Sequence, residues 1–145
     1  MRVADHVQRQ FFNGGVLTTG GCRARFLTRS NDVYGAIAAE SARWVDAKRA
    51  TPLTRNVEWA TEINRVYVDY FNQRPGIVLG QLRTKGWFPN LAAPSFNRFG
   101  GIVSNGFQLT LSAPAGAIYY TLDGSDPRLR GGAISPASFI PAPSL

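Results

Sequence analysis

Ile118-Tyr-Tyr-Thr-Leu-Asp-Gly-Ser-Asp-Pro127 decides how this chain is read. Ile118, Tyr120 and Leu122 alternate with Tyr119 and Thr121, and β-branched and aromatic side chains suit a pleated, half-buried surface. Asp123-Gly124 ends the run, because glycine adopts positive φ and aspartate hydrogen-bonds the backbone just ahead of it. Asp126-Pro127 extends the turn, and Pro127 has no N–H to give a ladder. Upstream, Phe107, Leu109 and Leu111 alternate with Gln108 and Thr110. The two runs, joined by Ser112-Ala-Pro-Ala-Gly116, predict a hairpin. Weaker strand signals lie at Gly101–Val103 and Ala137–Ile140, and the Pro-rich end 141–145 reads as a loose tail.

The N-terminal part reads as helices, and residues 87–101 change character, with Trp87, Phe88 and Phe96 among prolines and glycines. Val3, Val7 and Phe11 share one face at spacing four, which predicts a helix over 2–12 ended by Asn13-Gly14-Gly15. A short helix is expected at 22–29. A stronger one follows, capped by Ser30 or Asn31, with Val33, Tyr34, Ile37, Ser41, Trp44 and Val45 as its stripe to about residue 47. Glu40 and Arg43 are spaced to pair across it. After an Ala50–Leu53 linker, Thr54 or Asn56 caps a helix to about residue 72, striped by Trp59, Ile63, Val66, Tyr67 and Tyr70. Pro75 suits the first turn of a last helix that Gly86 closes. The domain boundary is placed near 91, giving a helical segment 1–91 and a β segment 92–145.

Composition narrows the chemistry. The chain has 145 residues, one cysteine and one histidine. An intrachain disulfide and a cysteine- or histidine-rich metal site are therefore ruled out. No apolar run reaches the length of a membrane span, and the first residues lack the apolar centre of a signal peptide. The net charge is +7. The basic residues are scattered, with Lys48-Arg49 the one adjacent pair, which reads as a solvated face and argues against a nucleic-acid stripe.

Phe11-Phe-Asn-Gly-Gly-Val-Leu-Thr18, Ala36-Ile-Ala-Ala-Glu-Ser-Ala-Arg-Trp44 and Tyr70-Phe-Asn-Gln-Arg-Pro-Gly-Ile-Val-Leu-Gly-Gln-Leu-Arg83 resemble the C-terminal helical part of CotH-kinase-family proteins. Ala93-Pro-Ser-Phe-Asn97, Phe107-Gln-Leu-Thr-Leu-Ser112 and the opening decapeptide resemble the start of the sandwich module found at the C-terminus of chitobiase and β-hexosaminidase, also described as fibronectin-type-III-associated. The resemblance implies an α+β chain, a small helical bundle followed by an incomplete antiparallel Ig- or fibronectin-like β-sandwich. It also implies a secreted or cell-surface bacterial setting. The family's nucleotide-binding lobe and acidic metal ligands have no counterpart here, so kinase activity follows from the family name alone and the chain is expected not to be an enzyme. It reads as an internal slice of a larger protein.

Few residues qualify as sites. Asp123 and Asp126 are the candidate calcium ligands, but two carboxylates fall short of the roughly six oxygens calcium takes, and both serve as turn-formers. Tyr119, Tyr120, Trp87 and Phe88 are candidates for stacking on sugar rings or bases, against core packing; alternation lets one of the two tyrosines face inward and leaves the other for a ligand. Asp5 and His6 point apart on a helix and lack a matched nucleophile, and Cys22 reads as an unpaired thiol. No catalytic residue or cofactor is expected. The expected role is that of a structural or accessory segment, associating with another protein or with itself through unpaired strand edges. The alternative is an extracellular glycan-binding module.

Overall fold

The spacing of Val3, Val7 and Phe11 is answered by α1 (Val3–Phe11) in the computed structural model, which describes residues 3–45 and 48–140. Val7 is its buried residue. Asn13 and Gly14 take φ of 51° and 78° and turn the chain out of the helix. The expected helix start at Arg2, the end near Ala47 and the tail 141–145 lie outside the described residues. The chain divides into two units, Met1–Pro89 and Asn90–Leu145.

One helix, α2 (Thr19–Glu40), replaces the two expected across 22–47. Thr18 is its N-cap, accepting from the Gly21 amide at 3.1 Å. Ser30 is buried in mid-helix instead of capping. Serine and asparagine lose only a few tenths of a kcal/mol inside a helix, so burial of that face outweighs the local preference. The helix ends in a wide π-type stretch, Ser41–Val45. A wider turn rotates less per residue, so positions three apart no longer stack. Arg43 lies over the Trp44 ring at 4.9 Å, and the expected Glu40–Arg43 pair does not form.

A second long rod runs from Arg55 to Thr84 without a break. Its parts are a π-type turn, Arg55–Trp59, then α3 (Ala60–Arg65), a second π-type turn, Val66–Tyr70, and α4 (Phe71–Thr84). Thr54 is the N-cap. Its hydroxyl accepts from Val57 N, while its own amide donates to the Glu58 carboxylate at 2.6 Å. That amide holds the Glu58 carboxyl below its ordinary value. The stabilisation is therefore present above the unfolded-state value and is lost as pH falls through the lowered one. Thr54→Ala should cost about 1 kcal/mol, read as a lower midpoint in urea by circular dichroism.

Pro75 sits inside α4 rather than opening a new helix. A proline there leaves the carbonyl four residues back without its helical donor. That carbonyl, Phe71 O, takes the Thr19 hydroxyl at 3.1 Å instead. In the π-type turn just before it, Tyr67 O and Val68 O accept from Arg23 at 2.7 and 3.3 Å, and Arg23 also covers the Tyr67 ring at 4.7 Å. The irregular part of the rod is thus fastened to α2 by side chains that reach its displaced carbonyls. Phe26 against Phe71, edge to face at 5.3 Å, packs the same junction.

The rod closes where glycine was expected to close it. Gly86 has φ 70°, its amide bonds Arg83 O, and Trp87 N bonds Leu82 O, the paired bonds of a Schellman turn. Phe88 follows, buried and stacked on Phe12 at 5.9 Å.

The second unit is mixed turn and short strand. β1 (Ser95–Phe96) pairs antiparallel with β2 (Leu111–Ser112), Ser95 opposite Ser112 and Phe96 opposite Leu111. Asn97 prolongs the ladder with its side chain, accepting from Thr110 N at 3.0 Å and donating to Gln108 O at 2.9 Å. The expected hairpin between 107–111 and 118–122 is not formed, because each run takes a more distant partner. Leu111 pairs with Phe96, and Tyr120 forms a lone bridge with Phe139. Gly101–Val103 is irregular and exposed, not a strand; Gly100 and Gly101 both have positive φ, which interrupts any extended run. Among the described residues the helices are followed by one two-stranded antiparallel sheet, and no second sheet faces it.

Candidate functional site

The acidic turn after Tyr120 is built from its own side chains. Asp123 accepts from the Ser125 hydroxyl at 2.6 Å and the Ser125 amide at 3.0 Å, and Thr121 donates to Ser125 O at 2.6 Å. The Ser125 hydroxyl, then its amide, hold the Asp123 carboxyl below the ordinary aspartate value. Asp126 accepts from the Arg128 amide and guanidinium, each at 2.9 Å. Both carboxylates are thus directed at the backbone and side chains of the turn. Among the described residues no three of His, Cys, Asp or Glu converge as metal ligands would. Because the carboxylate form makes these bonds, the turn should hold above the free-aspartate value and loosen as pH falls through the lowered one. The Ser125 amide proton shift, followed by NMR, is expected to titrate with a midpoint below that of a free aspartate.

The aromatic candidates are separated. Tyr119 and Tyr120 are both half-buried, so alternation does not sort them into an inner and an outer ring. Tyr120 exchanges two backbone bonds with Phe139, and the two rings lie 5.7 Å apart. Its ring face is already occupied by that neighbour. Trp87 belongs to the helical unit, is 59% exposed, and has no ring or cation partner among the described residues.

A groove that sequence reasoning did not assign lies in the helical unit. The end of α2 and the π-type stretch after it supply Ile37, Glu40, Ser41, Trp44 and Val45; the opposite wall is Leu53, Thr54, Glu58, Trp59 and Glu62. Its volume is about 510 Å³, within the roughly 300–1,000 Å³ typical of ligand and side-chain pockets. The Ser41 hydroxyl donates to Leu53 O and ties the walls together at the base. Tyr34 packs on Trp59 at 5.8 Å, and the Arg55 guanidinium lies over the Tyr34 ring at 4.2 Å, which fixes the Trp59 side. Ile37, Trp44 and Trp59 were all legible as helix stripes. A stripe that packs and a stripe that stays open have the same periodicity, so spacing alone did not separate them.

Comparison of the chain with models of known protein families, with curated proteins and with solved structures finds no match.

Proposed function

We propose that the chain is a non-catalytic structural or accessory segment of an extracellular or cell-surface CotH-like protein, and that its β unit works by association. The observation that supports this most is the openness of that unit. Among its described residues none is buried, and Ile102 and Leu122 are 94% and 81% exposed. A unit held by two-residue strands and lone bridges gains little from its own core, since burial of apolar surface is the main favourable term in folding. In a two-stranded sheet each strand has an outer edge, and an outer strand edge is the surface that β-strand addition uses. The missing layer of the sandwich is then supplied by another β surface, from a partner or from a second copy.

Sedimentation velocity over a concentration series tests this. The expected outcome is reversible association, weakened at least about tenfold by Ile102→Lys with Leu122→Lys, since a buried aliphatic side chain contributes about 1.5–3 kcal/mol. A chain that stays monomeric at high concentration, and pairs with no added β module, would end the proposal. The glycan-binding alternative is favoured by one observation, the open indole of Trp87. Retention on a chitin or acidic-polysaccharide matrix, lost in Trp87→Ala, would shift the assignment to it.

A further inference from the structure

We propose that the Trp44–Trp59 groove of the helical unit is a docking site for a basic amphipathic helix of a partner protein. Its floor is apolar, from Ile37, Val45 and Leu53 with the two indoles, and it is open to solvent, Trp44 being 50% exposed. Its polar lining is Ser41, Thr54 and three carboxylates, Glu40, Glu58 and Glu62, with no Lys or Arg among the described lining residues. That is an inversion of the chain as a whole, which carries 16 Lys and Arg against 9 Asp and Glu.

The charge at the groove is only partly compensated. Glu62 is paired with Arg65 at 2.5 Å. Glu58 is held by the neutral Thr54 amide and hydroxyl, so its charge is retained. Glu40 has no ion-pair partner among the described residues. Two carboxylates beside an apolar trough complement lysines or arginines that flank an apolar stripe, and complementarity of this kind selects partners and speeds their encounter. Tryptophan faces also attract such cations, and here the Trp59 face is the one to do so, because Arg43 already lies over the Trp44 ring at 4.9 Å.

The shape favours a helix. Most of both walls is helical, and at the linker between them Leu53 O and Thr54 N are bonded to Ser41 and Glu58, so little backbone is left as an edge for strand addition and recognition passes through side chains. The wall from Ile37 to Val45 is about 12 Å long at 1.5 Å per residue, close to two turns of a guest helix. Apolar residues at i, i+3, i+4 and i+7 would fill the trough, with basic residues at its rim.

The test uses the full chain and two synthetic labelled peptides, a Leu–Lys amphipathic helix and its Leu–Glu counterpart, with binding read by fluorescence anisotropy. The Leu–Lys peptide is expected to bind about tenfold or more tightly than the Leu–Glu one. Glu40→Lys, an exposed change that leaves the fold intact by circular dichroism, should weaken it about fivefold or more. Trp44→Ser should abolish saturable binding. Asp32→Lys, the same charge change on α2 outside the groove, should leave it nearly unaltered. Equal affinity for the two peptides, or equal losses from Glu40→Lys and Asp32→Lys, would reduce the effect to diffuse attraction and overturn the site. A dimer in sedimentation that Trp44→Ser dissociates would also overturn it, by assigning the groove to a second copy of this chain.

Discussion

Replacement of Phe88 by alanine is expected to lower the stability of the helical unit by about 3 kcal/mol or more. Phe88 is one of two buried apolar residues among those described, with Val7. Its ring stacks on Phe12 at 5.9 Å and lies under the Arg83 guanidinium at 5.4 Å. Its amide bonds Leu82 O at 3.3 Å, so the side chain is set directly by the turn that Gly86 makes possible. The ring therefore joins the end of the long rod to the end of α1. Domains of this size have about 5–15 kcal/mol in total, and a unit with so little buried surface lies toward the low end, so the loss is a large share. Urea unfolding followed by far-ultraviolet circular dichroism checks it. Phe88→Leu, which keeps most of the volume, should cost about 1.5 kcal/mol or less. If both variants shift the midpoint alike by well under 1 kcal/mol, Phe88 does not anchor the unit.

The local chemistry of the helical half could be read from the sequence because it is short-range. The Thr54 cap, the glycine closure at Gly86 and the Val3–Phe11 face each depend on residues within one turn of each other. The misses there share a cause: a local penalty was outweighed by a distant partner. Ser30 reads as a cap until burial holds it in mid-helix. Pro75 reads as a helix start until Thr19, 52 positions earlier, takes up the Phe71 carbonyl. The β half was less legible because strand pairing is a long-range choice. Alternation reads Phe107–Leu111 and Ile118–Leu122 as strands, of which only Leu111 and Tyr120 pair, and it does not say that Leu111 will face Phe96 or Tyr120 will face Phe139. The turn after Leu122 was correct in its chemistry, since Asp123 and Asp126 bond the residues two places ahead. The tyrosines, expected to divide into an inner and an outer ring, do not divide, because a single bridge is too short to impose strict alternation. The groove between Trp44 and Trp59 was written in the same stripes that predicted packing, and only the arrangement of the two walls distinguishes it.

Gly15→Ala is the second large effect expected, a loss of about 1–3 kcal/mol from forcing a methyl into filled space. A Cβ on Gly15 would stand 2.4 Å from both Arg9 O and Gln10 O. These are backbone atoms of α1, so no side-chain rotation relieves the contact. The Gln10 carbonyl is also the acceptor for Leu17 N at 2.8 Å, and Gly15 O accepts both the amide and the hydroxyl of Thr18, the cap of α2. Moving the loop to admit the methyl would disturb the end of one helix and the start of the next together. The same substitution at Gly35, in the interior of α2 with nothing within 4 Å of the new Cβ, should instead stabilise by about 0.5–1 kcal/mol, because alanine loses less backbone freedom in a helix. Opposite signs for one chemical change, measured as urea midpoints on the two variants, separate steric closeness at the α1–α2 turn from general helix propensity. Two stabilised variants would mean that the turn yields and that Gly15 is not what holds α1 close to the start of α2.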